Sequence, residues 1–207
     1  MFLLSPARLS GERASLLFSP QAQFPLARQL QSQEGALLGD VYSFLSALYF
    51  RGKRAYTEAF GKAPAGMGAG LVITPAEGLR FLNDPVTLSR LERWAKQDID
   101  ARNRRFVEPL VEHAQAIDRA LGQSARIVLL GSIASDKYVR PLTEVFGERL
   151  LFPSEFVGRG DMSRGGLLLR AAHAGEELAY APVSGAPRHG PRPPKLTRVP
   201  RRKVPDV

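Results

Sequence analysis

The stretch ERLLFPSEFVGRGDMSRGGLLLRAA, residues 148 to 172, sets Ser154, Arg159, Asp161, Ser163 and Arg164 between two apolar runs. A plain connector needs only turn chemistry, which Gly158 and Gly160 already supply. Asp161 or Ser163 suits the cap of a following helix. Capping leaves both arginines over, and guanidinium forks suit a phosphate or another anion, or a pairing with Asp161. Three further segments carry similar groups. SPARLSGER (5 to 13) holds Ser5, Arg8 and Arg13 beside Gly11, for an anion or for surface ion pairs. GSIASDKY (131 to 138) offers Ser132, Lys137 and free backbone N–H groups to an anion, or simply uses Ser135 to cap a helix. TPAEGL (74 to 79) puts Glu77, the sole carboxylate of its turn, where partial burial would raise its pKa and fit it to act as a general base. The alternative for Glu77 is an exposed turn carboxylate, because Pro75 and Gly78 account for the turn.

These segments acquire meaning from the elements beside them. FLLS (2 to 5), AGLVIT (69 to 74), ARIVLLG (125 to 131), RLLF (149 to 152) and LAYAPV (178 to 183) read as buried strands. A helix is expected over 40 to 60, with Asp40 as N-cap, Val41, Phe44, Leu45, Leu48 and Tyr49 as its stripe, and Gly61 as its stop. A second is expected over 103 to 121, with Pro109 kinking its first turns or marking its start. Shorter helices fit 86 to 96, 135 to 146 and 163 to 175. Strands that alternate with helices predict an α/β fold of three layers, a mainly parallel sheet with helices on both faces. Ligands of such sheets lie beyond the carboxyl ends of the strands, so the four polar segments are expected to converge on one crevice.

The chain has 207 residues, 44% of them hydrophobic, enough for one domain with a real core, expected over residues 1 to 185. Cysteine is absent, which excludes disulfides, thiolate catalysis and cysteine-bound zinc. His113, His173 and His189 are scattered, so no metal and no cofactor is expected. No run approaches the about 18 apolar residues of a membrane helix, and MFLLS is too short for a signal peptide. No membrane partner and a cytoplasmic location are therefore expected. The net charge of +9 is concentrated in residues 186 to 207, where seven Lys or Arg stand against Asp206. That Pro-rich, basic tail is expected to be extended, and spaced cations on such a backbone suit a phosphate polymer or serve solubility. YFRGKRAY (49 to 56) interleaves Arg51, Lys53 and Arg54 with aromatics, as a grip for single-stranded nucleic acid or as the basic outer face of a helix with an aromatic core stripe.

In their order, LLSPARLSGERASLLFS (3 to 19), LVITPAEGL (71 to 79), VLLGSIASDK (128 to 137) and FPSEFVGRGDMSRGG (152 to 166) resemble the motif-bearing segments of the uracil-DNA glycosylase superfamily. The resemblance implies a parallel-sheet α/β fold, a water-activating first loop, a base-recognising loop after the next strand, and a late loop that enters the minor groove. The family's catalytic Asp or Asn has no counterpart in the Ser5-Pro6-Ala7 context, and Phe152 stands where its histidine would be. The P-x-x-G-L turn after the second strand also resembles bacterial α/β domains related to base-modification enzymes. The expected partner is thus DNA or a nucleotide, bound by Ser5, Arg8, Arg13, Ser132, Lys137, Ser154, Arg159, Asp161, Ser163 and Arg164. Hydrolysis of an N-glycosidic bond with Glu77 as the catalytic residue is one expected function. A non-catalytic module that uses the same crevice for a nucleotide or protein is the other.

Overall fold

The computed structural model describes residues 1–64 and 66–196. Its elements run β1 (Phe2–Leu4), α1 (Glu12–Phe18), α2 (Pro25–Gln31), β2 (Ala36–Leu37), α3 (Leu38–Ser46), α4 (Leu48–Phe60), β3 (Gly70–Ile73), β4 (Leu79–Phe81), β5 (Pro85–Val86), α5 (Leu88–Ala95), α6 (Arg104–Leu121), β6 (Ile127–Leu130), α7 (Asp136–Phe146), β7 (Leu150–Pro153), α8 (Asp161–Ala174) and β8 (Tyr180–Pro182). Six strands form the central sheet in the order β4-β3-β1-β6-β7-β8. β3, β1, β6 and β7 are parallel, and the two edge strands are antiparallel. β2 and β5 form a separate two-stranded ribbon.

The inner strands are apolar at every position because both of their faces are covered. Leu3 pairs with Leu71 and Leu129, Leu4 with Val72 and Leu130, and all of these are buried. Right-handed crossovers fix which helices cover which face. The chain leaves β1 for β3 in one direction and passes from β3 over β1 to β6 in the other, so α4 and α6 fall on opposite faces. α7 continues in the second direction and packs beside α6, while α8 packs most extensively against α4. The expected three-layer α/β architecture is what the chain adopts.

α4 and α8 touch backbone to backbone. A Cβ on Gly52 would lie 2.6 Å from the Gly165 carbonyl oxygen, and one on Gly165 would lie 2.7 Å from the Leu48 carbonyl oxygen. Glycine at both positions brings the residues that follow and precede them, Lys53 and Arg164, to the same layer of the structure.

Three local expectations are corrected. The helix expected over 40 to 60 is two helices, broken at Ala47, whose φ of 46° and ψ of −116° lie in a region costly for a residue with a Cβ. Asp40 is not a cap but lies inside α3, where it pairs with Arg54. Pro109 does not mark the start of α6 but lies inside it; the helix begins at Arg104 with Asn103 as N-cap, its side chain accepting from the Arg105 N–H at 3.2 Å. α1, α2, β2, β4 and β5 were not expected. Of the basic tail, residues 186 to 196 carry no helix or strand and lie against the domain, with Ala186 and Leu196 packed on the core; residues 197–207 lie outside the described residues.

Candidate functional site

Because β1 continues to one side and β6 to the other, the carboxyl ends of these neighbouring strands form the switch point of the sheet, the place where such folds open a crevice. A crevice of about 340 Å³ opens there. Ser5, Pro6, Ala7 and Arg8 after β1, Ser132, Lys137 and Tyr138 after β6, and Asp161 at the start of α8 contribute to its wall. Five of the residues singled out by sequence, from three separate post-strand segments, therefore meet at one opening. Arg8 and Lys137 are exposed at its rim.

Beneath the crevice lies Lys53, which is 1% exposed. Its Nζ donates to the Ser5 carbonyl oxygen at 2.8 Å and contacts Ser5 Oγ at 2.7 Å, and it sits 3.9 Å from the centre of the Tyr49 ring. No carboxylate lies within ion-pairing distance among the described residues. Burial pushes the ammonium down to about 7 from its ordinary 10.5; the Asp161 charge opposes that shift, while Arg164 and Lys137 add to it. Ser5 is itself only 6% exposed, and its Oγ also donates to the Leu130 carbonyl oxygen at 3.3 Å. Tyr138 joins the group through a hydrogen bond with Ser5, although burial raises its pKa overall. Gly131 permits this convergence, since a Cβ there would lie 2.9 Å from Ser5 Cβ and 3.3 Å from the Tyr138 hydroxyl.

Lys53 was expected either to grip single-stranded nucleic acid or to belong to a basic outer face, and its burial rules out the outer face. The signal was its position: Tyr49, Lys53, Tyr56 and Phe60 recur at helical spacing, so the lysine falls on the aromatic stripe that packs inward.

The loop at 154 to 164 is largely satisfied by its own groups. Arg164, 9% exposed, donates to the Phe156 carbonyl oxygen through Nε and Nη2, both at 3.2 Å, and pairs with Asp161 at 3.3 Å. Arg159 donates to the Glu155 carbonyl oxygen at 3.0 Å, to Ser163 Oγ at 3.3 Å and to the Pro194 carbonyl oxygen at 3.4 Å. Ser154 donates to the Ala179 carbonyl oxygen, beside β8. Arg13 donates to the Phe44 carbonyl oxygen at 2.9 Å and ties α1 to α3. None of Arg13, Ser154, Arg159, Ser163 and Arg164 lines the crevice. No side chain caps α8, whose N-cap is Gly160, nor does Ser135 cap α7.

Glu77 lies apart from the crevice lining. Both of its oxygens take hydrogen bonds from Arg90, and Oε1 also accepts from Trp94 Nε1 at 3.0 Å. The Arg90 guanidinium holds its carboxyl below the ordinary range, opposite to the upward shift that would suit a general base. Phe152 is a core residue of β7.

A second basic opening adjoins the first across the start of α8, with Arg159, Ser163, Arg192 and Lys195 in its wall. Residues 192 to 196 form its outer side, and the stretch just before them is held by Arg188 on Asp136 and by the packing of Pro191 over Gly158. Gly158, at φ 72°, has no room for a side chain because the Pro191 carbonyl oxygen would lie 2.1 Å from its Cβ. A further cleft, of about 360 Å³, lies at the opposite end of the strands, lined by Phe2, Lys62, Arg126, Glu177 and Tyr180 among others. No helix among the described residues is long and apolar enough to cross a membrane. Compared with known protein families, with curated proteins and with solved structures, the chain matches none.

Proposed function

We propose that the chain binds a phosphate-bearing ligand, a nucleotide or a strand of nucleic acid, with a phosphate in the crevice between β1 and β6. The observation that carries this reading is the meeting of Arg8, Lys137, Ser5 and Ser132 from two loops at the switch point, over a buried lysine. Cations and hydroxyls at the ends of parallel strands are the groups that phosphate recognition uses. Asp161 is the one opposing charge in the wall, and Arg164 pairs with it. The adjoining opening, with Arg159, Arg192 and Lys195, extends the positive surface along the start of α8, as a ligand with several phosphates would require. A cytoplasmic setting accords with such a ligand.

Cleavage of the N-glycosidic bond of a bound nucleotide is the catalytic form of this reading. Asp161, in the wall, is then better placed than Glu77 to orient a water. The test is titration of fluorescent single-stranded and double-stranded DNA and of a nucleoside monophosphate against the full chain, across a salt series. Arg8→Glu combined with Lys137→Glu is expected to weaken binding by roughly tenfold or more and to flatten its salt dependence. Binding unchanged by both charge reversals would sink the assignment.

A further inference from the structure

A buried ammonium without a carboxylate is costly, and an apolar side chain of the same length would fill the space without that cost. Lys53 nevertheless occupies the inward stripe of α4, and both of its hydrogen bonds go to one residue, Ser5. Ser5 is part of the crevice wall, whereas Lys53 is not, so the serine faces the ligand and the lysine stands behind it. A hydroxyl on the open side and an amine within 2.7 Å on the closed side is the arrangement by which serine nucleophiles are activated.

We propose that Ser5 is a nucleophile toward phosphoesters and that Lys53 is its general base. The choice of phosphorus as the electrophile rests on the phosphate reading above; the serine–lysine pair does not. The cations at the rim suit the charge that gathers on a phosphoryl group in transit. With Lys53 neutral, the Ser5 hydroxyl turns its hydrogen from the Leu130 carbonyl to Lys53 Nζ, and Oγ forms a bond to phosphorus as that proton passes to the amine. The bond from phosphorus to the leaving oxygen breaks, and that oxygen takes a proton from the Lys137 ammonium at the rim. In the second half, a water gives a proton to Lys137 and attacks the phosphoseryl phosphorus. Lys53 then returns its proton to the departing Ser5 Oγ. One phosphoester and one water become an alcohol and a phosphate shortened by one ester bond.

An amine that loses its proton near pH 7 is free to act as the base at neutrality, which this one does because of burial, with Arg164 and Lys137 assisting and Asp161 opposing. The Tyr49 and Phe50 rings and Ser5 complete its surroundings.

The test treats the full chain with a fluorophosphonate, which transfers phosphorus to activated serines, and maps the adduct by mass spectrometry at pH values on either side of 7. The expected result is an adduct on Ser5 whose rate rises by roughly tenfold per pH unit below about 7 and levels above it. The adduct is lost in Ser5→Ala and slowed at least roughly tenfold in Lys53→Arg, which keeps the charge but not the base. Absence of a Ser5 adduct on a chain that still binds nucleotide would overturn the nucleophile and leave the binding reading intact. A Ser5 adduct on a chain that binds no nucleotide would keep the serine–lysine pair and overturn phosphoesters as its substrates. A rate flat through pH 7 would overturn Lys53 as the base, with no variant required.

Discussion

Lys53 couples the stability of the chain to pH in the direction opposite to that of an ion-paired lysine, whose folded pKa is raised. In the unfolded chain its amine titrates near 10.5, and in the fold near 7. Between these values the unfolded chain binds more protons than the folded one, so the contribution of this residue to stability rises with pH, by up to about 1.4 kcal/mol per unit. Below about 7 the ammonium bears the full cost of burial. Lys53→Met is therefore expected to stabilise the fold most at acid pH, with its advantage over the parent shrinking from pH 7 upward in urea unfolding. A constant difference at all pH values would show that the lysine is not buried as a free amine. Glu77 behaves differently, because Arg90 and Trp94 already occupy its oxygens. Glu77→Gln is expected to cost about 1 to 2 kcal/mol of stability while leaving nucleotide binding unchanged. Loss of binding at full stability would return Glu77 to the site.

The two residues also show where residue type misleads. A lysine is usually a surface residue, and that prior outweighed its place on an aromatic stripe at helical spacing. Ser5, Arg8, Ser132, Lys137 and Asp161 were legible because the strand ends before them are plain in sequence. Arg13, Ser154, Arg159 and Ser163 share the same residue types, but Arg13, Ser154 and Arg159 each reach a carbonyl oxygen far along the chain, which spacing does not reveal, and Arg159 and Ser163 bond to each other.

At the scale of elements, the crossing of α4 on α8 decides how close Lys53 and Arg164 stand to the crevice. Gly165→Ala would force its new methyl against the Leu48 carbonyl and Tyr49 backbone, at 2.7 Å from each. The expected loss is about 1 to 3 kcal/mol, with α4 displaced and Ser5 labelling slowed in the folded fraction. An unchanged midpoint of unfolding would mean that the helices are not in backbone contact. All five expected strands occur, since each is an apolar run with polar flanks. β4 escaped notice because LRF is only three residues long and follows its partner through the tight turn at Gly78. The break between α3 and α4 escaped because the apolar stripe continues through Ala47, with neither proline nor glycine to mark it. α1 and α2 are seven residues each, too short for a periodic pattern to stand out.

For the whole molecule, every proposed ligand group lies at one end of the sheet. The start of α7, the start of α8 and residues 186 to 196 all gather there, with Arg188 holding Asp136 and Arg159 reaching Pro194. The sequence located this end through the parallel α/β rule, but whether the first part of the tail would dock there was not legible, because the contact depends on Ala186 and Leu196 meeting the finished core. The opposite end offers a cleft of similar size, which makes the location of the ligand the decisive question. The direct measurement is titration of the isotope-labelled full chain with a nucleoside monophosphate, followed by backbone amide NMR. Saturable shifts centred on residues 5 to 10, 132 to 138 and 160 to 164 are predicted. Shifts centred on the cleft of Lys62 and Arg126, or confined to the basic tail, would contradict the phosphate crevice between β1 and β6.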